Sequence, residues 1–137
     1  MNDYKNKIIS LNLKSKPIFD IEDQLKYTKD WRGQYIGDAI AILKPHDKYE
    51  VSKILKFAND NEISIVPQGG NTSLCGAATP LKNSFSIIIS TEKMNNIISL
   101  DKESMTITLE PGVILSIIHA EVEKNDLFFP LSLGAKG

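Results

Sequence analysis

The sequence predicts an α+β fold in which a parallel strand-helix-strand unit precedes the start of a mixed, antiparallel part. An amphipathic helix pattern lies between two short apolar runs, and the three together span about thirty residues, the length of a right-handed parallel crossover. Further along, the turn sequence DKES separates two β-rich runs, which is typical of a hairpin. A single cysteine excludes an intrachain disulfide, so this fold depends on an apolar core.

Length and composition indicate one globular domain. The chain has 137 residues, of which 42% are hydrophobic and 24% charged, as is usual for globular proteins. No apolar run approaches the ~20 residues that span a membrane, and the N-terminus has no secretory cleavage site. We therefore expect a cytoplasmic protein without a membrane span. A net charge of -1 without a basic stripe argues against nucleic acid as a partner.

The first part of the chain is predicted to be helical and to lead into a buried strand. We interpret residues 1–29 as a loosely attached lead-in with a short helix over residues 5–13. A second helix is expected over residues 22–29, with Asp20 as its cap. The apolar residues 39–43 then form a short buried strand.

The best-defined predicted helix begins after Asp47. Glu50 follows three residues later, which is the spacing of a capping box. Apolar side chains then recur at intervals of three and four residues, as on the buried face of a helix. These positions are Val51, Ile54, Leu55 and Ala58. Residues 63–66 supply the next strand, which is expected to end at Pro67.

The second half of the chain is richer in strands. Residues 85–90 form an apolar run, and residues 96–100 and 105–109 are the two arms of the predicted hairpin. A helix is expected to follow and to end near Asn125, and residues 127–129 are expected to form a last strand. The predicted inner face of that helix contains Val113, Ile117, Ala120 and Val122.

Small residues follow the second predicted strand directly, where residues 68–76 are QGGNTSLCG. Gly69 and Gly70 lack Cβ atoms and permit positive φ, so another molecule can approach the main chain closely. Free N–H groups, with the hydroxyls of Thr72 and Ser73, can form a nest for an anionic oxygen, typically of a phosphate. Ligands gather beyond the carboxyl ends of parallel strands. A tight surface turn is the alternative interpretation.

The glycine spacing fits neither of two common nucleotide-binding loops. A P-loop needs Lys followed by Ser or Thr after its last glycine, and the segment has neither pair. The Rossmann fingerprint needs G-x-G-x-x-G at the start of a helix, whereas these glycines are adjacent and AATPLKNS is no helix start. Hydrolysis of nucleoside triphosphates and nicotinamide binding are therefore not predicted.

An ordered series of segments resembles a known family. KDWRGQY, PQGGNTSLCGAATP, IIISTEKMNNI, EPGV and FFPLSLGAKG resemble the N-terminal part of the FAD-binding domain of vanillyl-alcohol oxidase-type flavoproteins. Within that superfamily the chain looks like the D-2-hydroxyacid dehydrogenase branch, which includes D-2-hydroxyglutarate dehydrogenase, D-lactate dehydrogenase and the FAD subunit of glycolate oxidase. The resemblance implies a partial PCMH-type FAD-binding domain over residues 30–137, with hydride transfer from a D-2-hydroxyacid to FAD in the complete enzyme.

The resemblance also implies where FAD is held. The implied cofactor-binding residues are Pro67, Gln68, Gly69, Gly70, Asn71, Thr72, Ser73, Leu74, Gly76, Pro130, Leu133, Gly134 and Gly137. Asn71 occupies the position where some relatives carry a histidine joined covalently to the flavin, and asparagine cannot form that bond, so noncovalent FAD is expected. No catalytic residue and no metal ligand is assigned to the chain.

Other conspicuous residues have simpler interpretations. Cys75 is expected to be a small packed side chain, His46 to face solvent and His119 to lie at a core boundary, without metal partners. Asp30 and Trp31 are expected to pack. Ser132 departs from the family pattern, because this branch usually has an aspartate there.

Three hypotheses follow. In the first, the chain is the FAD-binding part of a D-2-hydroxyacid dehydrogenase. Family members continue beyond the segment that matches Gly137 into a further FAD loop and a substrate domain, so this hypothesis predicts a companion chain that carries those parts. In the second, it is a truncated, non-catalytic remnant that binds FAD weakly or not at all. A different enzyme on the same fold, such as the cell-wall sugar reductase, is a weaker third, since the segments around the loop match the hydroxyacid branch.

Overall fold

A computed structural model describes residues 2–135 of the chain, which divides into two compact units, Met1–Lys93 and Met94–Gly137. The first unit contains α1 (Asn2–Ile9), α2 (Ile21–Thr28), β1 (Ala41–Leu43), α3 (Lys48–Asp60), β2 (Ser64–Gln68) and β3 (Ser86–Ser90). The second contains β4 (Ile97–Asp101), β5 (Thr106–Leu109) and α4 (Leu115–Glu123). The α+β prediction, with a parallel part followed by an antiparallel part, is confirmed.

The first unit is built on a three-stranded parallel sheet with the order β1-β3-β2. Every residue of β3 is buried, and its isoleucines lie in register with β1 on one side and β2 on the other. The sequence predicted that β1 and β2 belong to one crossover unit, but β3 lies between them. Its continuous apolar run is typical of a strand covered on both faces.

Strand β2 extends beyond the predicted stop at Pro67. Pro67 pairs in register with Ile89, and the strand ends at Gln68. Proline is tolerated here because β2 is an edge strand, and the main-chain groups on its outer side form no hydrogen bonds to another strand of the described sheet. The extension places the glycine-rich segment immediately after the strand.

Helix α3 begins after Asp47, as predicted, and the Asp47 carboxylate accepts hydrogen bonds from the N–H groups of Tyr49 and Glu50. The Glu50 side chain does not complete a capping box. Its buried carboxylate instead accepts from the main-chain N–H of His46 at 2.8 Å and of Lys14 at 2.6 Å. This contact ties the N-terminal segment to the helix.

The buried face of α3 differs from the predicted one at one position. Ile54 and Ala58 are buried as expected, but Leu55 is exposed and Phe57 is buried in its place. The recurrence of apolar residues at intervals of three and four therefore predicted the helix correctly, but not which of its side chains face the core.

The lead-in is packed closely, contrary to the expectation of loose attachment. Helix α1 lies earlier than residues 5–13, and its Ile8 is 1% exposed in the core formed by α3 and the sheet. Asp20 caps α2 as predicted by accepting from the N–H groups of Glu22 and Asp23. A domain boundary between residues 29 and 30 stays a prediction.

In the second unit, β4 and β5 form the predicted antiparallel hairpin. Helix α4 buries Ile118 and Val122, whereas the predicted inner residues Ile117 and Ala120 are exposed. Residues 127–129 do not form the predicted strand. The N–H of Leu127 donates to the carbonyl of Val122, so it closes the end of the helix.

Within residues 2–135, no helix combines the length and the apolar character needed to cross a membrane.

Candidate functional site

The glycine loop, defined here as residues 69–76, follows β2 directly. Strands β1, β2 and β3 are parallel, so their carboxyl ends lie at the same edge of the sheet and the loop begins at that edge. Open α/β sheets bind ligands at this edge. The segment therefore lies where a binding loop is predicted from the sequence.

Two amide side chains flank the glycine pair and hold the loop against the end of α2. Gln68 is 2% exposed, and its Nε2 donates to the carbonyls of Tyr27 and Ala78 at 2.8 and 2.7 Å. Asn71 Nδ2 donates to the carbonyls of Lys29 and Lys26 at 2.8 and 3.3 Å. The bonds to Lys26, Tyr27 and Lys29 satisfy carbonyl groups that the end of α2 leaves without intrahelical partners, and the bond to Ala78 ties Gln68 to the chain just after the loop.

The sequence alone did not reveal this anchoring role. Gln68 and Asn71 were assigned to the cofactor, but the structure shows that their side-chain amides bond to main-chain carbonyls. The partners at the end of α2 lie some forty residues away in the chain, and Ala78 lies ten residues away, so no local spacing could have revealed them. The main chain between the two amides is thereby fixed at both ends.

The far half of the loop has its own attachments. Ser73 Oγ accepts from the N–H of Ala77 at 3.3 Å, and the carbonyl of Leu74 accepts from Arg32 Nη2 at 2.7 Å. Gly76 has φ of +68°, and a Cβ atom there would lie 2.7 Å from the Tyr35 ring. Its lack of a side chain is therefore required by the fold.

The main-chain N–H groups of the loop have no acceptor among residues 2–135. No group in the described part of the chain accepts a hydrogen bond from the main-chain N–H of any residue from 69 to 76. Consecutive N–H groups of this kind form the nests that bind phosphate and other anions. The loop therefore offers a row of donors on a backbone that side chains hold in place.

Gly69 and Gly70 are not required by the fold. Neither adopts the positive φ that glycine permits, and within the loop it is Asn71 and Gly76 that do. Cβ atoms on the two glycines would approach other atoms no closer than 3.9 and 3.7 Å, which is ordinary van der Waals contact. The fold would therefore accept a methyl group at either position, and the absence of both side chains is what the close approach of a pyrophosphate to the main chain would require.

A charged cluster lies at the same edge of the sheet. Lys44, after β1, pairs with Glu92, after β3, at 3.2 Å, and Tyr27 Oη donates to the same carboxylate. Burial alone would raise the pKa of Glu92, but Lys44, together with the Tyr27 hydroxyl and the Lys26 charge, outweighs it and the net pKa is lowered. Burial, reinforced by the Glu92 charge, raises the pKa of Tyr27. The lysine charge is thus balanced within the cluster.

The other predicted cofactor-binding residues lie between positions 130 and 137, in the second unit. Pro130, Leu133 and Gly134 are exposed, as is Ser132, and a Cβ on Gly134 would meet nothing within 4 Å. His119 Nε2 donates to the carbonyl of Leu131 at 2.9 Å, so this histidine anchors the segment. Gly137 lies outside the described residues.

Three expectations about other residues were wrong. Cys75 is exposed rather than packed, because the glycine loop extends into solvent. His46 is half-buried, with its Nε2 2.7 Å from Ser15 Oγ. Trp31 is 63% exposed and contacts Arg32 instead of packing in the core.

Asp30 has the expected structural role. Its buried carboxylate accepts from the N–H groups of Tyr35 and Arg32 at 2.7 and 3.3 Å. Burial alone would raise the pKa of this carboxyl, but the main-chain donors and the Arg32 charge outweigh it, so the pKa is lowered. The ionised carboxylate therefore organises the turn that contains Arg32. Arg32 contacts the glycine loop and was not among the site residues predicted from the sequence.

Elsewhere in the described chain, neither a metal site nor the groove provides an alternative location for the predicted site residues. No group of three or more histidine, cysteine or acidic side chains among residues 2–135 could hold a metal ion. A groove of about 670 Å³ lies at the opposite edge of the sheet, where residues 38–40 and 83–85 precede β1 and β3. None of the predicted site residues lines it.

Comparison with known proteins agrees with the predicted resemblance. Residues 39–137 match a family model described as FAD binding domain. The probable mitochondrial D-2-hydroxyglutarate dehydrogenase of Oryza sativa subsp. indica is 41% identical over 108 residues, which cover 79% of this chain and 19% of that protein. The glycolate oxidase subunit GlcD of Bacillus subtilis is 34% identical over 107 residues, covering 78% of this chain and 22% of that subunit.

Solved structures share the fold. p-Cresol methylhydroxylase with substrate bound superposes with a TM-score of 0.77 at 24% identity, over 98% of this chain and 26% of that one. Alkyldihydroxyacetonephosphate synthase gives a TM-score of 0.76 at 21% identity, over 91% and 25% of the two chains. The chain spans about a fifth of the length of the curated relatives described above. The predicted PCMH-type fold and the resemblance to the D-2-hydroxyacid dehydrogenase branch are confirmed.

Proposed function

Since this chain belongs to the FAD-binding domain family, we propose that its glycine loop binds the pyrophosphate of FAD, in a flavin-dependent enzyme that oxidises D-2-hydroxyacids. The observation that carries this proposal is the row of N–H groups at residues 69–76, which has no acceptor in the described part of the chain. Gly69 and Gly70 add no side chain to that row, although the fold would accept a methyl group at either position. Pyrophosphate oxygens match such donors in charge and size.

In this proposal the side chains around the loop hold its main chain in place, and the main-chain N–H groups bind the cofactor. Gln68 and Asn71 hold the two ends of the glycine pair against α2, so the donors are ordered before the cofactor arrives. Preorganisation of this kind lowers the entropic cost of binding. Thr72 and Ser73 add hydroxyl groups at the loop, and Pro67 keeps the preceding strand extended.

FAD is proposed to bind noncovalently. Asn71 has no nucleophilic atom, and its amide already bonds to two main-chain carbonyls. Pro130, Leu133, Gly134 and Gly137, which the family resemblance implies, are proposed as further cofactor contacts. Unfolding the loaded protein with denaturant should release all of the flavin into the filtrate.

The substrate class follows from the relatives alone. Their names include D-2-hydroxyglutarate dehydrogenase and glycolate oxidase subunit, and both names denote oxidation of a 2-hydroxyacid. When bound, FAD supplies the acceptor for the substrate hydride. The chain's own residues bind and orient the cofactor, and a companion chain is proposed to supply the substrate site.

The compartment is also a proposal. The rice relative is named as mitochondrial, whereas the Bacillus relative comes from a bacterium. We place this chain in the cytoplasm, and fractionation of cells that express it with an epitope tag tests that location.

Flavin retention tests the proposal directly. The 137-residue chain is mixed with FAD, freed of excess by gel filtration, and its absorption is recorded in the visible flavin bands. We expect a retained flavin that ADP displaces, because ADP carries the same pyrophosphate. A colourless protein would contradict the proposal and favour the remnant hypothesis, which the comparisons do not support over a cofactor-binding domain.

The companion chain has its own test. The product of the reading frame immediately downstream is added to the loaded chain, and reduction of an artificial electron acceptor is followed with D-2-hydroxyglutarate, D-lactate and glycolate. Activity with one of these acids, present only when both chains are mixed, is the expected result. Absence of such a reading frame would contradict the split enzyme.

A further inference from the structure

Arg32 is the one arginine in the sequence, and it contacts the glycine loop. Its Nη2 donates to the carbonyl of Leu74 at 2.7 Å. The guanidinium carbon also lies 5.8 Å from the centre of the exposed Trp31 ring. A full positive charge is therefore held at the edge of a loop whose main chain carries only partial charges.

The turn that carries Arg32 is well ordered. The buried Asp30 carboxylate accepts from the N–H groups of Arg32 and Tyr35, and the main-chain N–H and C=O of Asp30 bond to Tyr35 and Gly33. Gly33 has φ of +70°, which closes the turn. The position of the Arg32 backbone is thus fixed independently of its contact with Leu74.

Most of the hydrogen-bonding capacity of the guanidinium is unused. The group has five N–H donors, and Leu74 is its one hydrogen-bond acceptor in the described part of the chain. It forms no ion pair with a carboxylate there, although its charge lowers the pKa of Asp30. A guanidinium can bond to a carbonyl with one arm and to a phosphate with the other.

The geometry points to Arg32 as a phosphate-binding residue of the proposed FAD site. This inference rests on the proposed function, and it adds a cation that the loop itself lacks. A pyrophosphate carries formal negative charge, and neutral N–H donors offset that charge less well than a charged partner does. Arginine suits the position better than lysine because its planar fork matches phosphate oxygens and stacks on Trp31.

The test compares Arg32→Gln with the wild-type 137-residue chain. Glutamine stays polar but removes the charge, and it is too short to keep the contact with the Leu74 carbonyl. Riboflavin, which has no phosphate, therefore serves to detect a general loss of loop structure. Lys53→Gln, which removes an exposed lysine charge from α3, is the matched control, and Lys29→Gln tests a second cation near the turn. Affinities for FAD, ADP and riboflavin are measured by equilibrium dialysis at two salt concentrations.

We expect Arg32→Gln to weaken binding of FAD and ADP about tenfold or more, as loss of a charge-assisted hydrogen bond does. Its affinity should also depend less on salt. Riboflavin, which has no phosphate, should bind both proteins equally, and Lys53→Gln should behave as the wild type. Arg32→Lys should be intermediate. Emission from Trp31, the one tryptophan, should change as ADP binds.

The outcomes separate this inference from the proposed function. If the wild type binds FAD and ADP but Arg32→Gln binds them equally well, Arg32 is not a phosphate ligand and the loop proposal stands. If Arg32→Gln weakens riboflavin as much as FAD, or if Lys29→Gln alone reproduces the loss, the inference is overturned. If the wild type binds neither nucleotide, the proposed function fails and the inference fails with it.

Discussion

At the far end of the glycine loop, Gly76 has φ of +68° and a Cβ on it would lie 2.7 Å from the Tyr35 ring. At the near end, Cβ atoms on Gly69 and Gly70 would meet nothing closer than 3.7 Å, and neither residue has positive φ. Gly37, which lies before β1, is in the same position as Gly76, because a Cβ on it would overlap the main-chain carbonyl of Pro80. We call Gly37 and Gly76 the packed glycines, because the fold requires both, and Gly69 and Gly70 the open glycines. Only the open glycines need an explanation from outside the chain, which makes them the stronger markers of a binding site.

The largest effect is expected for Gly37→Ala. A Cβ on this buried residue would overlap the carbonyl group of Pro80, which is main chain and cannot move aside like a flexible side chain. We expect the free energy of unfolding to fall by about 3 kcal/mol or more, measured by urea denaturation followed by circular dichroism. A loss within the range of ordinary surface substitutions would contradict the classification of Gly37 as packed.

Gly76→Ala should have the next largest effect. Alanine would be strained at this positive φ and would press on the Tyr35 ring, so we expect a loss of about 2 to 3 kcal/mol. The same denaturation experiment measures it. If Gly76→Ala were as stable as the wild type, the distinction between the two ends of the loop would disappear.

Gln68→Met tests the anchor beside the open glycines. Methionine keeps the bulk but removes the amide that donates to the carbonyls of Tyr27 and Ala78. We expect a loss of about 1 to 2 kcal/mol and weaker retention of FAD, because the loop is no longer held before binding. Full FAD affinity in a destabilised Gln68→Met protein would show that the anchor serves stability alone.

The smallest predicted effect concerns pH and lies away from the loop. The hydrogen bond from Lys14 lowers the pKa of Asp47 to about 2, from an ordinary value of 3.8. A lowered carboxyl pKa adds stability above the ordinary value, and this stability is lost as the pH falls through about 2. Asp47→Asn keeps an N-cap residue but removes this titration. The difference in Tm between the two proteins should therefore shrink as the pH falls from 3.8 to 2, and a constant difference would contradict the assignment.

Local patterns predicted most of the elements but not their partners. The Asp20 and Asp47 caps, the apolar run of β3 and the β4-β5 hairpin depend on neighbours in sequence, and all four were predicted. The order β1-β3-β2 and the burial of Phe57 in place of Leu55 depend on distant contacts that periodicity does not specify. The lead-in was misjudged for the same reason, because its weak pattern conceals the fully buried Ile8.

The candidate site was predicted in position but not in detail. The glycine run identified the loop, and the resemblance identified FAD. The roles of Gln68, Asn71 and Arg32 arise from contacts between segments some forty residues apart. The sequence also could not separate open from packed glycines, since the same residue type stands at a positive φ at Gly76 and at Gly69, where the fold would accept a Cβ atom.

The most direct test of the central claim measures stability and FAD binding together in Gly69→Ala and Gly70→Ala, with Gly76→Ala as the matched control. The open glycines can take a methyl group without strain, so both variants should keep the wild-type free energy of unfolding within about 0.5 kcal/mol or gain slightly. The added methyl groups should reduce FAD affinity at least about tenfold by covering the N–H donors. Wild-type FAD affinity in both variants, or a loss of stability as large as that of Gly76→Ala, would contradict the account.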